Sequence, residues 1–234
     1  MDKSLRRSSV LIAVALLALA GSGCTAKMKG SYYQHRAEKC FAAGDYSSAE
    51  IEYKRVLRSE PQNGEAWSRL GVIYFYEGRL PEAAAILIKA EQLSTNDLDV
   101  RLKLATVYQG MGRLKEAQDE ADYVLDRRPQ DDEAPLLLAR NVIGTNDFTR
   151  VRQHLQALRQ RADGTSLEVA WGTLAQRQQD FKTAEVSYKR ALELDPKSYA
   201  TYTALAALYL EQMDTIRADA AFQKAAELAP PFCD

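Results

Sequence analysis

Residue types that could carry out catalysis are scarce and widely separated in this sequence. The only two histidines are His35 and His154, and neither has a cysteine or second histidine at metal-site spacing. The chain also contains no glycine-rich phosphate loop and no Gly-x-Ser-x-Gly elbow of a serine hydrolase. The acidic pair Asp131 and Asp132 falls where a helix should begin, so we expect it to cap backbone N–H groups. The sequence therefore predicts no enzyme, no metal site and no cofactor.

A cysteine near the N-terminus points to a covalent modification. Basic residues precede an apolar run at residues 10–20, which is too short for a bilayer-spanning helix of about 20 residues. Small residues follow, and this succession predicts a secretory signal peptide at residues 1–23. The stretch LALAGSGC resembles a bacterial lipobox, in which the cysteine thiol is acylated and becomes the first residue of the mature chain. The resemblance makes Cys24 the expected lipidation site.

The lipobox resemblance also implies a location. Residues 24–29 would form a lipidated tether, and Thr25 stands where bacterial inner-membrane retention usually shows Asp. We therefore expect a protein anchored in the outer membrane of the cell envelope and facing the periplasm. Gly21 departs from the motif, which prefers Leu or another aliphatic residue. A soluble periplasmic protein cleaved near Ala20 or Gly23, and an uncleaved anchor, stay open as alternatives.

The rest of the chain consists of segments with helical periodicity. Trp67, Leu70, Gly71 and Tyr74 lie on one face of a predicted helix, which Gly78 ends. A second apolar stripe follows, so two helices face each other across a short turn, with small residues where they approach closely. The pattern recurs about every 34 residues and resembles the tetratricopeptide repeat (TPR), whose signature begins Trp-x-x-Leu-Gly-x-x-Tyr.

Six such units are predicted between residues 30 and 232. Their boundaries are 30–63, 64–97, 98–131, 132–164, 165–198 and 199–232. The fourth unit has Pro135 where the second has Trp67, and residues 163–165 replace a proline-closed turn. We therefore expect the weakest coupling between repeats at 163–165. The resemblance implies an all-α TPR solenoid of about six helix-turn-helix repeats, wound into a right-handed superhelix.

In TPR proteins the first helices of the hairpins line a concave groove. The positions of this sequence that match those groove positions are largely apolar. The predicted partner-binding groove consists of Phe41, Val72, Phe75, Tyr76, Leu102, Gln109 and Ile143, and in unit four the same register also passes through Leu136 and Arg140. The basic residues of the chaperone-binding carboxylate clamp are replaced by Gln34, Glu38 and Ser68, so we do not expect that mode. The strip suits an extended segment or an amphipathic helix of a protein partner. In the alternative interpretation, Phe75 and Tyr76 pack against neighbouring helices.

Charge excludes one class of partner and suggests another. The net charge is -1 at pH 7, and aromatic and basic residues do not alternate, so nucleic-acid binding is not expected. The second helix of unit four carries Arg150, Arg152, Arg159 and Arg161 without an acid between them, and it follows an acidic helix in unit three. One hypothesis makes these arginines a patch for an anionic partner. The alternative is a solvated surface that pairs with the acidic helix, each exposed pair contributing about 0–1 kcal/mol.

These features predict a lipid-anchored scaffold that binds a protein or peptide partner in its groove. The layout is similar to pilotin lipoproteins, which help assemble type IV pilus secretins, and to TPR lipoproteins of exopolysaccharide and PEP-CTERM systems. The alternatives are the N-terminal interaction segment of a longer envelope protein or enzyme, and a self-associating soluble periplasmic TPR protein. Ile216, Ala220 and Phe222 in the last unit lack an obvious cover. Terminal repeats need one, so we expect a longer polypeptide or a partner there, including a second copy of the chain.

Overall fold

The computed structural model describes residues 30–94, 96–161 and 163–229, and within these ranges all regular structure is helical. The helices are α1 (30–42), α2 (Tyr46–Ser59), α3 (Gly64–Tyr76), α4 (Leu80–Leu93), α5 (Leu98–Gly110), α6 (Leu114–Arg127), α7 (Ala134–Arg140), α8 (Gly144–Arg159), α9 (Thr165–Arg177), α10 (Phe181–Leu194), α11 (Tyr199–Glu211) and α12 (Thr215–Leu228). One pair falls within each predicted interval, and the predicted all-α class is confirmed. The predicted signal peptide, tether and lipidation site Cys24 lie outside the described residues.

The helices form two compact units, whose boundary between Val100 and Arg101 falls inside α5. In the first unit α3 packs against both α2 and α4. In the second unit α9 packs against α7, α8, α10 and α11, and α11 packs against α12. Each unit is described by itself below.

Tight turns join the two helices of each pair. Every turn has three residues, and in most of them the middle residue adopts a left-handed backbone. Its φ is +73° at Gly78, but +62° at Gln179 and +61° at Met213. Side chains disfavour this conformation by roughly 1–2 kcal/mol. The last two hairpins therefore keep the turn geometry without the glycine that normally supplies it.

Small and large side chains interlock within the hairpins, as the pattern predicts. A Cβ atom added at Gly172 on α9 would lie 2.5 Å from Cε1 of Tyr188 on α10, and one added at Gly71 would lie 2.6 Å from Cγ of Leu87. Such distances are far inside van der Waals contact, because the larger side chain of the second helix occupies the space over the glycine. Tyr188 and Leu87 are both buried.

Hydrogen bonds also join successive hairpins in the same way in each unit. The Tyr74 hydroxyl on α3 donates to Glu50 on α2 at 2.9 Å, and the Tyr209 hydroxyl on α11 donates to Glu185 on α10 at 3.1 Å. A tyrosine from a first helix thus contacts the second helix of the preceding hairpin. These contacts add a polar link to the apolar packing between repeats.

The fourth pair departs from the others because its first helix, α7, has only 7 residues. Asp131 caps its N-terminus by accepting hydrogen bonds from the backbone N–H groups of Glu133 and Ala134, at 2.9 and 2.8 Å. This confirms the capping role predicted for Asp131. At the other end the helix stops before Asn141, which is followed by two β-branched residues and Gly144. These residue types have low helix propensity, which explains the early end.

An ion-pair cluster bridges the joint at which the sequence predicts weak coupling. The guanidinium group of Arg159 on α8 donates to both carboxylate oxygens of Glu168 on α9, each at 2.9 Å. Arg190 on α10 lies 3.3 Å from Glu168 and 3.4 Å from Asp163. Glu168 is buried. Three helices therefore meet on one buried carboxylate beside residues 163–165.

Candidate protein-binding surface

Part of the predicted groove forms an aromatic cluster in the first unit. The Tyr76 ring stacks on Tyr46 at 5.1 Å between centroids, and it lies 5.7 Å from the Phe75 ring. Phe41 contacts Tyr46 edge-on at 5.6 Å. Tyr76 is nevertheless 58% exposed. Its ring is therefore both packed on a neighbouring helix and accessible to a partner, which leaves both sequence-based interpretations in place.

Tyr46 is a member of this cluster that sequence reasoning missed. It begins the second helix of its hairpin, whereas the groove was assigned only to first helices. The Arg69 guanidinium group lies 5.1 Å above the Phe41 ring on the same surface. Helical periodicity offers no signal for a contact between Tyr46, at the start of the second helix of one hairpin, and Tyr76, at the end of the first helix of the next hairpin.

Two residues assigned to the groove are buried instead. Val72 on α3 is only 8% exposed and Leu102 on α5 only 6% exposed. In α3 every residue from Leu70 to Tyr74 is buried, as expected for a helix that is covered on more than one face. Val72 and Leu102 therefore belong to the core rather than to an accessible strip.

The other two predicted groove residues, Gln109 and Ile143, differ in position. Gln109 lies on α5 and is half-buried. Ile143 is 51% exposed, but it lies in the turn between α7 and α8 and not on a first helix. Its backbone N–H donates to Asp147 at 2.7 Å. Because α7 ends at Arg140, Ile143 does not lie on the first-helix surface that the repeat spacing predicts for it.

In the second unit, two recesses share Ala204, one between the first helices α7, α9 and α11 and the other between α9 and α11 beside the second helix α10. The small-residue recess, with a volume of about 280 Å³, is lined by Leu136, Arg140, Thr165, Ser166, Val169, Ser198, Ala200, Thr201, Thr203, Ala204 and Ala207. The polar recess, with a volume of about 420 Å³, is lined by Thr173, Gln176, Arg177, Gln179, Tyr188, Ala204 and Glu211. Both are lined mainly by residues of first helices, on which TPR proteins are expected to bind.

The polar recess is organised by a buried tyrosine hydroxyl. The Tyr188 hydroxyl donates to Gln176 at 2.8 Å and lies 3.3 Å from the Thr173 hydroxyl. The Gln176 amide in turn donates to Glu211 at 2.7 Å. Burial raises the pKa of Tyr188, and Arg140 partly opposes that shift through its positive charge. The phenol therefore stays protonated and acts as a donor at neutral pH.

Sequence reasoning found only the α7 part of this surface. Arg140, Thr173 and Ala207 occupy equivalent positions in three successive first helices, once the one-residue shift before unit five is applied. Continuing the register from Arg140 would have identified the other two positions. It would not have identified Tyr188, which reaches the surface from the second helix α10.

One arginine of the predicted anionic-partner patch belongs to a half-buried network. Arg150 on α8 lies 2.5 Å from Asp122 on α6 and 3.0 Å from Asp147. His154 is half-buried, and its Nδ1 atom lies 2.9 Å from Asp122. Burial alone would raise the pKa of Asp122, but the hydrogen bonds from His154 and Arg150 hold it below its usual value. The Arg150 charge is therefore largely balanced within the fold.

The other three arginines of the patch differ in their contacts. Arg159 pairs with the buried Glu168. Arg152 is exposed and donates to Gln178. Arg161 is exposed and follows the end of α8. These contacts favour the interpretation that the basic helix pairs with neighbouring acids, and an anionic-partner patch stays a prediction.

The described residues include no cluster of side chains that could bind a metal ion. His35 is exposed, and no group of three or more His, Cys, Asp or Glu side chains within 30–94, 96–161 and 163–229 could hold a metal ion. In the same ranges, no helix has the length and apolar character that crossing a bilayer requires.

Comparison with known families matches the repeat pattern. Four family models described as tetratricopeptide repeat match residues 41–97, 74–122, 172–198 and 187–220. Together these segments cover more than half of the chain.

Solved structures show the same fold at low identity. A tetratricopeptide repeat protein from Parabacteroides merdae is 20% identical, with a TM-score of 0.66 over 87% of this chain and 81% of that one. PilF of Pseudomonas aeruginosa is 13% identical, with a TM-score of 0.60 over 88% of this chain and 94% of that one. At these identities the similarity is evidence for the fold alone.

Curated relatives are much longer proteins. Mouse superkiller complex protein 3 is 29% identical over 55% of this chain and 8% of its own length. Human protein O-mannosyl-transferase TMTC1 is 37% identical over 35% of this chain and 9% of its own length. The chain thus spans less than a tenth of either relative. From the repeat matches and the fold, the chain is a tetratricopeptide repeat protein with an all-α solenoid architecture.

Proposed function

We propose that this protein is a lipid-anchored scaffold of the bacterial cell envelope that binds a protein or peptide partner on the first helices of its repeats. The observation that carries the proposal is the pair of adjoining recesses on the first helices of the second unit, one lined by α7, α9 and α11 and the other mainly by α9 and α11. The TPR fold supports it, because such repeats generally serve protein–protein interaction and are typically non-catalytic. The partner would be a protein or peptide, without a small-molecule cofactor.

The anchoring and the pathway are the finer parts of the proposal. The lipobox resemblance at Cys24 supports attachment to the outer membrane, with the repeats in the periplasm. The resemblance in layout to pilotin and exopolysaccharide-associated lipoproteins suggests that the partner belongs to an assembly or secretion system. If this chain is part of a longer envelope protein, the same surface would recruit a partner to that protein.

Self-association is a second candidate that a specific observation favours. Ile216 on α12 is 82% exposed and Phe222 is 41% exposed, with the exposed Ala220 between them along the helix. A second copy of the chain would cover this exposed apolar face on association. Light scattering of the mature chain across a concentration series would distinguish a dimer from a monomeric scaffold.

The experiment that tests the scaffold is capture of partners from envelope membranes by the anchored protein. Proteins that stay bound at high salt would be identified by mass spectrometry. The decisive control is a variant that fills the small-residue recess, Ala207→Phe, at an exposed position of α11. We expect this variant to lose the partner while its circular dichroism stays unchanged. Equal capture by both proteins would contradict binding at the recess.

A separate variant tests the aromatic cluster of the first unit. Tyr76→Ala removes an exposed ring that stacks on Tyr46. If the cluster is a binding anchor, affinity for the captured partner should fall by about 2 kcal/mol or more, the scale of an aromatic hot spot. Helical circular dichroism should change little. Undiminished binding together with a lower melting temperature would show that Tyr76 serves packing instead.

A further inference from the structure

The small-residue recess contains a cation that the fold does not neutralise. Arg140 on α7 is exposed, and it forms no ion pair with the residues described in 30–94, 96–161 and 163–229. Arg150, Arg159 and Arg217 of the second unit do form such pairs, whereas Arg177 of the polar recess donates to the backbone oxygen of Val142. The guanidinium group of Arg140 is therefore available to a ligand at the edge of the recess.

The other side chains that line the small-residue recess are uncharged, and most of them are short. Val169 on α9 and Ala200, Ala204 and Ala207 on α11 give the recess an apolar lining of short side chains. Its volume of about 280 Å³ is slightly below the range of roughly 300–1,000 Å³ that is typical of small-molecule sites. A single aliphatic side chain on a peptide suits this space better than a large cofactor.

The adjoining polar recess provides hydrogen-bonding groups beyond Ala204. Thr173, Gln176 and Glu211 line it, and Tyr188 orients the Gln176 amide. A bound segment that continues past the small-residue recess would meet donors and acceptors suited to its main chain. Arg140 and the short apolar side chains thus line one recess, and the polar recess adjoins it at Ala204.

We propose, building on the proposed function, that this surface binds a peptide segment in which an acidic side chain neighbours an aliphatic one. The carboxylate pairs with Arg140, since a guanidinium group matches a carboxylate in a bidentate hydrogen bond. The aliphatic side chain enters the small-residue recess. The acid belongs to the interior of the segment, because the polar recess leaves room for the chain to continue.

The test uses the detergent-solubilised full chain and an array of synthetic peptides. Each peptide is acetylated and amidated, and it carries one Asp or Glu and one Leu at every relative spacing in a Gly/Ser frame. Matched arrays replace the acid with Asn or Gln, or the Leu with Ser. A further set moves the only carboxylate to a free C-terminus. We expect binding by a subset of the acid-and-Leu peptides, and about tenfold or greater weakening on replacement of the acid.

Two protein variants identify the groups responsible. Arg140→Gln should remove the preference for acidic over amide peptides, and Ala207→Phe should remove the preference for Leu. The matched control Lys182→Gln removes one positive charge from an exposed position on α10, outside both recesses. It should leave affinity unchanged, and all three variants should keep the wild-type circular dichroism.

Four results would overturn the inference. They are equal binding of acidic and amide peptides, unchanged acid preference in Arg140→Gln, binding that requires a free C-terminal carboxylate, and absence of any peptide binding. The scaffold function would still stand if membrane capture yields a partner that Ala207→Phe loses, so the two proposals can fail separately.

Discussion

At the scale of single residues, Tyr53 is a buried polar group that the fold leaves without a partner. It lies on α2 at 0% exposure, and among the described residues its hydroxyl makes no hydrogen bond. An unsatisfied buried hydroxyl costs about 1–3 kcal/mol. Tyr53→Phe keeps the ring and removes that hydroxyl, so we expect the free energy of unfolding to rise by about 1 kcal/mol. Urea unfolding followed by circular dichroism at neutral pH would measure the change.

The same substitution should alter the response to alkaline pH. Burial raises the pKa of Tyr53 to about 12, against about 10 in the unfolded chain. Ionisation of Tyr53 therefore leaves the free energy of unfolding of the wild-type protein unchanged below about pH 10 and lowers it as the pH rises from about 10 through about 12. The stability advantage of Tyr53→Phe should widen across that window. The control Tyr32→Phe, at a 59% exposed tyrosine, should change little. A less stable Tyr53→Phe protein would show that the hydroxyl has a partner in solution.

At the scale of elements, the joint between α8 and α9 depends on a buried carboxylate. Glu168 is 1% exposed and accepts two hydrogen bonds from Arg159, while Arg190 lies 3.3 Å away. Arg159→Ala would leave this charge with one partner. Loss of a partner from a buried pair costs about 3–5 kcal/mol. Because Arg190 stays, we expect the free energy of unfolding to fall by about 2–3 kcal/mol.

Hydrogen exchange would show whether this effect is local. Amides of residues 163–168 should exchange faster in Arg159→Ala than in the wild-type protein, because the opening free energy of this joint is lowered. The control Arg152→Ala lies on the same helix at an exposed position, and such changes usually stay within about 0.5 kcal/mol. If Arg159→Ala behaves like this control, the joint is as weak as the sequence alone suggests.

At the scale of the whole molecule, acylation of Cys24 would decide where the scaffold works. Each buried methylene of an acyl chain contributes about 0.8 kcal/mol to membrane binding. Cys24→Ala should therefore transfer the protein from the membrane fraction to the soluble fraction, or leave an unprocessed precursor. Mass spectrometry of the wild-type protein should find an acylated N-terminal cysteine.

Cys40 provides the matched control for this test. It is a half-buried cysteine in the first unit, and Cys40→Ala should keep the wild-type membrane fraction. A wild-type chain that starts at an unmodified residue, or is recovered entirely in the soluble fraction, would refute lipid anchoring. The groove proposals would be unaffected, since they depend only on residues of the repeats.

The helices and their pairing could be predicted from sequence because they depend on local patterns. The spacing of Trp67, Leu70, Gly71 and Tyr74 determines which helix face is apolar, and its repetition every 34 or so residues predicts the hairpins. The capping role of Asp131 is likewise a short-range effect. Only part of the candidate site could be predicted from these patterns, namely Tyr76 and the groove position of Arg140.

Only the tertiary structure decided which of those side chains are exposed to solvent and which charged side chains lack an ion-pair partner. Val72 is buried because α3 is covered on more than one face, and Ile143 lies in a turn because α7 ends early. Arg150 and Arg159 meet carboxylates that lie 28 and 9 residues away in sequence, whereas Arg140 meets none among the described residues. Burial and ion pairing depend on neighbours brought together by folding, so helical periodicity determined the framework of this protein but not its binding surface.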